Sequence, residues 1–202
     1  MARASGIPDL AAVERAEIRL SGFGGQGILL AGYILGEAAT LFSKRNVVMA
    51  QSYGPESRGG ASQVELILAA SEISYPRIES PDVVVTLSQQ AYASYGLSRP
   101  HGCLLLADSD LVSIDRTVEE GQVTVLAPLT RWAEERLGKR ITANIVMLAY
   151  LCDLTGLVEA SELERAVARS APRGSEELNR RAVEIGIEEA QTYLASLDGD
   201  RP

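Results

Sequence analysis

The sequence predicts an α/β fold: a single three-layer α/β/α domain with a mostly parallel, mixed sheet and a helical C-terminal third. Three observations lead there. A strand pattern at residues 17–21 runs into the glycine cluster Gly22-Phe23-Gly24-Gly25-Gln26-Gly27 and then into an apolar helix pattern, the way α/β domains open. Short apolar runs recur at 82–87, 103–108 and 123–127, as in strands buried on both faces. From Thr142 onward the pattern is helical.

Each element follows from local pattern. Residues 1–16 read as a loose or weakly helical N-terminal lead-in, 17–197 as the domain proper, and 198–202 as a tail. Over 28–39 apolar residues lie almost all round, the mark of a buried helix. Residues 46–50 make a short apolar strand. The following stretch, 51–62, is polar with three glycines and a proline, and so a loop. Residues 63–68 alternate at first, which suits a strand at a sheet edge and leaves antiparallel pairing open. Pro76 and Pro81 punctuate the chain before the strand at 82–87, and a helical stretch follows at 91–95. After the two later strands, a helix at 132–137 stops at Gly138. Helices are then expected at 143–155, at 161–170 with Ser161 as N-cap, and from Ser175 to 197.

Composition removes whole classes of function. The 202 residues suit one domain, and 46% hydrophobic with 23% charged residues is ordinary globular usage. Nineteen Lys+Arg against 27 Asp+Glu give a net charge of −8, which argues against nucleic acid or an anionic membrane surface as partner. Aromatics at 5% leave the core to Ala, Leu, Ile and Val. Two cysteines, Cys103 and Cys152, are too few for a disulfide framework or a four-thiolate cluster. No apolar run reaches the ~18 residues of a membrane span, and the N-terminus lacks the order of a signal peptide. A cytoplasmic protein in a reducing compartment is expected.

Two segments stand out for chemistry. Gly22, Gly24 and Gly27 meet the G-x-G-x-x-G spacing formally, which can aim backbone N–H groups at a phosphate. The same glycines can equally make a tight turn for close packing. No acidic residue closes the second strand to hold a ribose, and no Lys-Ser/Thr follows to make a P-loop. The segment 52–62 sets Tyr53 and Arg58 among free backbone amides. Arg58 offers a planar fork for carboxylate or phosphate, and the loop reads as an interface or as a plain solvated connection. His101 sits in a turn with no triad partner, and both cysteines lie in apolar contexts that make thiols inert. Asp108 and Asp110 follow a buried strand and suit turn capping. Asn144 or Thr142 suits the cap of the apolar helix after it, and Asn179 stands mid-helix, where it invites a specific hydrogen bond.

Three segments in this order carry a resemblance: Ser21 to Gly27; Ser52-Tyr53-Gly54-Pro55-Glu56-Ser57-Arg58-Gly59-Gly60; and Ala143-Asn144-Ile145-Val146-Met147-Leu148. Over residues 17 to about 190 the chain resembles the gamma subunit of 2-oxoacid:ferredoxin (or acceptor) oxidoreductases. The second motif looks most like the 2-oxoglutarate type.

The resemblance implies a supporting role in CoA-dependent oxidative decarboxylation of a 2-oxoacid, with acyl-CoA, CO2 and reduced ferredoxin as products. Thiamine diphosphate and iron–sulfur clusters would belong to partner subunits, the cofactor acting as electron sink, and coenzyme A would be co-substrate. The partners implied are alpha and beta subunits, a delta (ferredoxin-like) subunit in some complexes, and ferredoxin through the complex. An isolated chain could form a homodimer. Gly24, Gly25, Gln26, Gly27, Tyr53, Glu56, Arg58, Gly59, Gly60 and Asn144 become the candidate ligand or partner contacts; no residue is assigned a catalytic or metal role. A free-standing dinucleotide-binding reductase and an indolepyruvate or branched-chain gamma subunit are the competing readings.

Overall fold

In the computed structural model, which describes residues 6–53, 61–114, 123–171 and 174–199, alternation sets the first strand. β1 (Arg15–Phe23) extends beyond residues 17–21 because its period of two continues both ways. Ala16, Ile18 and Leu20 are fully buried in the main core. Glu17, Arg19 and Ser21 take the opposite face, where Arg19 pairs with Glu65 at 2.7 Å.

The six-stranded sheet has the order β2-β3-β1-β4-β5-β6. β4 (Val83–Thr86), β5 (Leu104–Asp108) and β6 (Val123–Ala127) add to β1 in parallel, and β4 and β5 are buried along their whole length. β3 (Ala61–Ala69) overturns the edge expectation for 63–68. It is inserted between β1 and β2 (Asn46–Tyr53), antiparallel to both, and β2 is the edge on that side. The alternation of β3 reports unequal cover of its two faces: Val64, Leu66 and Leu68 enter the main core, while Gln63 and Glu65 do not.

One face carries most of the helices: α1 (Ile28–Glu37) with a π-helical continuation Ala38–Phe42, α3 (Leu129–Leu137), α4 (Ala143–Thr155), α5 (Ala160–Ser170) and α6 (Glu176–Gly199). To keep chain order, α2 is the short helix Gln89–Ala91, which runs on into a π-helical turn Tyr92–Gly96 and covers the other face. There Tyr92 packs on Val84, Leu105 and Ala107. Helix α4 is buried at nearly every position, as its all-round apolar pattern demands, because α1, α3, α5 and α6 surround it. Its Tyr150 ring meets Trp132 at 5.6 Å and Tyr193 at 6.5 Å.

Three local expectations are corrected. The N-terminal segment is docked from Gly6 onward, with Ile7 and Leu10 buried and Leu10 N–H donating to Thr155 O at 2.8 Å. α5 is capped by Glu159, not Ser161; Glu159 and Glu162 form a reciprocal capping box, which satisfies two amide donors where Ser161 would satisfy one. α3 begins at Leu129, three residues before the expected start. Gly138 ends α3 with φ of 64°, as expected. Among the described residues no helix is long and apolar enough to cross a membrane.

α6 lies tightly against α4 at Gly186, where a Cβ would run into the Val146 carbonyl and come within 2.7 Å of Ala149 Cβ and 2.8 Å of Tyr150 N. Alanine there gains about 1 kcal/mol of helix propensity but pushes against rigid backbone. Gly186→Ala is expected to lower stability by about 1–3 kcal/mol in urea unfolding, the usual cost of overpacking; a stabilised variant would show that α6 can lift off α4.

Candidate functional site

Four parallel strands end at one rim of the sheet, and the glycine loop leaves that rim from β1. Phe23 lies beside Ala61, and Tyr53 lies opposite Ser62. Both stems of the connection between β2 and β3 therefore rise next to the glycine loop, and the Ser62 hydroxyl donates to Gly22 O at 3.4 Å. Of the predicted contacts, Glu56, Arg58, Gly59 and Gly60 lie outside the described residues. Gly24 to Gly27 and Asn144 come together here, with Tyr53 at the end of the adjacent strand.

The four glycines of the loop divide by role. Gly22 has no room for a side chain: a Cβ would sit 2.7 Å from Gln26 Oε1 and 2.9 Å from Ile28 Cγ1. Gly27 caps α1 at φ 74°, and a Cβ there would collide with Asn144 Nδ2. Gly24 and Gly25 are exposed and face open space, with nothing within 4 Å of a built Cβ. Gln26 stitches the loop closed: its Oε1 accepts from Phe23 N–H at 2.6 Å and its Nε2 donates to Leu87 O at 2.8 Å. Asn144 does not cap its own helix. Its Nδ2 donates to Gly27 O at 3.2 Å, across 117 residues of sequence.

These ties frame a cavity of about 280 Å³ lined by Gly25, Gln26, Leu87, Thr130, Arg140 and Ile141, with Ala143 at its edge. α1 and α4 both start there, at Gly27 and Thr142, with no acidic residue in either first turn, so two positive helix ends converge. The Arg140 guanidinium adds a full charge, held loosely by Glu134 at 3.5 Å. In a chain of net charge −8, this pocket suits an anionic group such as a phosphate or carboxylate. Ile141, 56% exposed, separates it from an apolar groove of about 160 Å³ lined by Leu30, Ile34, Ile145 and Leu178. Phe23, Leu30 and Tyr33 are likewise large apolar residues open to solvent, so the rim joins an anion-friendly hollow to an apolar surface.

Arg140, Ile141 and Thr130 escaped the sequence reading. The one signal for them was Arg140-Ile141 standing in a short turn before the apolar α4.

The remaining candidates are structural. Asp108 is fully buried and caps the end of β5: its Oδ2 accepts from Thr130 N–H at 2.9 Å and Thr130 Oγ1 at 2.6 Å, its Oδ1 from Asp110 N–H at 3.0 Å. Asp110 pairs with Arg131 at 3.3 Å. His101 is exposed in a turn. Asn179 Nδ2 donates to Ser175 Oγ at 3.1 Å. Cys103 and Cys152 are buried in separate cores on opposite faces of the sheet, so they make no shared cluster site. Burial pushes the Cys103 thiol up to about 12 and raises that of Cys152 as well.

The topology also bears on the dinucleotide reading. That motif puts the second strand directly beside the first, with an acid at its end; here β3 separates β1 from β2. Residues 17–189 match the family model described as pyruvate ferredoxin/flavodoxin oxidoreductase.

The chain belongs to this family.

It is 48% identical over 177 residues to the 2-oxoglutarate synthase subunit KorC of Methanocaldococcus jannaschii, covering 88% of this chain and 95% of that one. The crystal structure of a keto/oxoacid ferredoxin oxidoreductase gamma subunit from Geobacter sulfurreducens superposes with a TM-score of 0.79 at 38% identity, over 89% of this chain and 98% of that one. The fold recurs, at 17% identity and a TM-score of 0.79, in a 2-oxoglutarate:ferredoxin oxidoreductase from Magnetococcus marinus solved with 2-oxoglutarate, coenzyme A and succinyl-CoA; 92% of this chain matches 32% of that one. Family membership and the inserted β3 together remove the free-standing reductase. The chain is a subunit of a 2-oxoacid:ferredoxin oxidoreductase.

Two outcomes follow from the geometry. Asn144→Ala removes one of the two hydrogen bonds to the Gly27 carbonyl, which keeps that from Ala31 N–H at 3.0 Å, and opens the space beside it; it is expected to cost about 0.5–1.5 kcal/mol in urea unfolding, with faster amide exchange confined to the glycine loop. Neither thiol should alkylate with iodoacetamide at about pH 8, where a free cysteine would be about a quarter ionised, until denaturant unfolds the chain; labelling of the folded protein would contradict the burial.

Proposed function

We propose that this chain is the gamma subunit of a 2-oxoglutarate:ferredoxin oxidoreductase, a cytoplasmic complex that converts 2-oxoglutarate, CoA and oxidised ferredoxin to succinyl-CoA, CO2 and reduced ferredoxin. The observation that carries the substrate class is the 48% identity, across nearly the full length of both chains, to a subunit named for 2-oxoglutarate synthase. Thiamine diphosphate and the clusters belong to the alpha, beta and ferredoxin-like delta subunits on this reading, and thiamine supplies the electron sink for decarboxylation.

The part of this chain in that reaction is the glycine-loop rim. Gly24 and Gly25, lacking side chains and facing open space, let another backbone or a CoA phosphate approach closely. Arg140, in the pocket beside them, and Arg58, on the neighbouring connection, supply charge for a partner carboxylate or a CoA phosphate. Gln26 and Asn144 act one step back, by holding the loop in place. The exposed apolar residues Phe23, Leu30, Tyr33 and Ile141 are the part of the rim that another subunit would cover.

Co-purification from native extract tests the whole reading: thiamine- and cluster-bearing subunits should elute with the tagged chain, with dye reduction dependent on 2-oxoglutarate and CoA. A chain eluting alone, or a complex active only on pyruvate, would refute it. Within the assembled complex, Arg140→Ala and Arg58→Ala are each expected to raise the CoA KM, or weaken assembly, about tenfold, the ~1.4 kcal/mol scale of one charge-assisted hydrogen bond. A variant that moves neither quantity removes that arginine from the contact.

A further inference from the structure

We propose that the β2 edge of the sheet joins two copies of this chain, β2 against β2 in antiparallel register centred on Ala50, to make one continuous twelve-stranded sheet. The inference is independent of the substrate reading and of the glycine-loop pocket.

The outward hydrogen-bonding groups of β2 follow from the ladder. In antiparallel pairing, alternate residues direct their N–H and C=O groups to opposite neighbours. The carbonyls of Glu17 and Ser21 bond to Asp82 and Leu87 on the β4 side, and Ala70 N–H bonds to Glu14 O. Hence Ser62, Val64, Leu66 and Leu68 of β3 face β1, while Gln63, Glu65, Ile67 and Ala69 face β2. Their β2 partners are Ser52, Ala50, Val48 and Asn46. That leaves Val47, Met49, Gln51 and Tyr53 with backbone groups directed away from the sheet, and β2 has no second neighbour among the described strands.

Such an edge is normally blunted by lysine, proline, a bulge or an inward charge. β2 has none of these. Asn46–Tyr53 holds no charged residue and no proline, and its register with β3 runs unbroken from end to end. Met49 is 40% exposed, and Ala50, Gln51 and Ser52 are exposed beside it.

Charge and symmetry select a second copy as the occupant. Two chains of net charge −8 repel unless they meet across neutral surface, and β2 is a neutral strip. The nearest charges on its sheet face, Arg19 and Glu65, neutralise each other at 2.7 Å. A two-fold axis through Ala50 sets Val47 against Tyr53 of the other copy and Met49 against Gln51, so every outward residue meets an outward residue. On the axis, Ala50 faces its own image in a non-hydrogen-bonded pair, with Cα atoms about 4.5 Å apart, where two small side chains fit.

The symmetry makes the test specific. At chain concentrations on the order of 50 µM, suited to a seam at the small end of interface sizes, the wild-type chain should show twice its 21.6 kDa mass by light scattering. Ala50→Lys and Ala50→Glu each place like charges face to face, and each should be monomeric alone. Mixed in equal amounts they should restore the dimer. Ala50→Cys should form a reducible disulfide dimer on mild oxidation, since the native thiols are buried. A wild-type monomer, a dimer that persists in both charged variants, or a mixture that stays monomeric overturns the proposal. So does an introduced thiol that cross-links only to a different subunit in the intact complex.

Discussion

The rim is governed by a contact between residues 117 positions apart. Gly27 turns the chain from strand to helix at a positive φ, and Asn144 occupies the space its side chain would need. The single hydrogen bond from Asn144 to Gly27 O therefore sets several things together: where α1 starts, how near α4 comes, and where the exposed Gly24-Gly25 pair is held. Any side chain at Gly27 drives Asn144 out, so this position is constrained twice, by backbone conformation and by space. Gln26 secures the other side by tying the loop to the end of β4. With both amides committed to the loop, it is fixed before any ligand or partner arrives, which lowers the entropy lost on binding.

Local chemistry made much of the fold legible. Unbroken apolar runs located β4 and β5 because those strands are covered on both faces, and β6 by the same run although its Leu126 is exposed. The all-round apolar pattern of α4 announced its burial, and Gly138 marked the end of α3 through its left-handed conformation. Spatial order was not legible. β3 reads as an edge strand because alternation reports which face is covered, whereas strand order depends on long-range pairing. The cap of α5 was misplaced for a related reason: Ser161 is the better cap by type, but the reciprocal pair Glu159–Glu162 satisfies more donors.

The site divides in the same way. The glycines are visible in sequence as residue types, yet only the packing separates Gly22 and Gln26, which shape the loop, from Gly24 and Gly25, which face outward. Asn144 looked like a local cap, because a bond spanning half the chain leaves no mark on its neighbours. Arg140 and Ile141 drew no attention, since one exposed arginine and one isoleucine are unremarkable until the pocket between two helix starts gives them a place. Family resemblance named whole loops. It could not divide the labour within them.

The two faces and the edge of the sheet complete the picture of how this chain meets others. Helices crowd one face, but among the described residues the other carries only α2 with its π-helical turn, and over β1 and β3 that face is partly charged, its Arg15, Glu17, Arg19 and Glu65 bound in pairs. Paired charges at a half-covered surface discourage nonspecific apolar association while contributing little stability of their own. Two surfaces stand out for association, the apolar glycine-loop rim and the neutral edge of β2. The inserted β3 separates them: it carries β2 outward by one strand width, about 4.8 Å, and still starts beside Phe23. A sheet built from β1, β4, β5 and β6 alone would leave β1 as its edge, with the glycine loop directly on it. Inserting β3 gives the chain an uncharged edge of its own and leaves the rim free for a different partner.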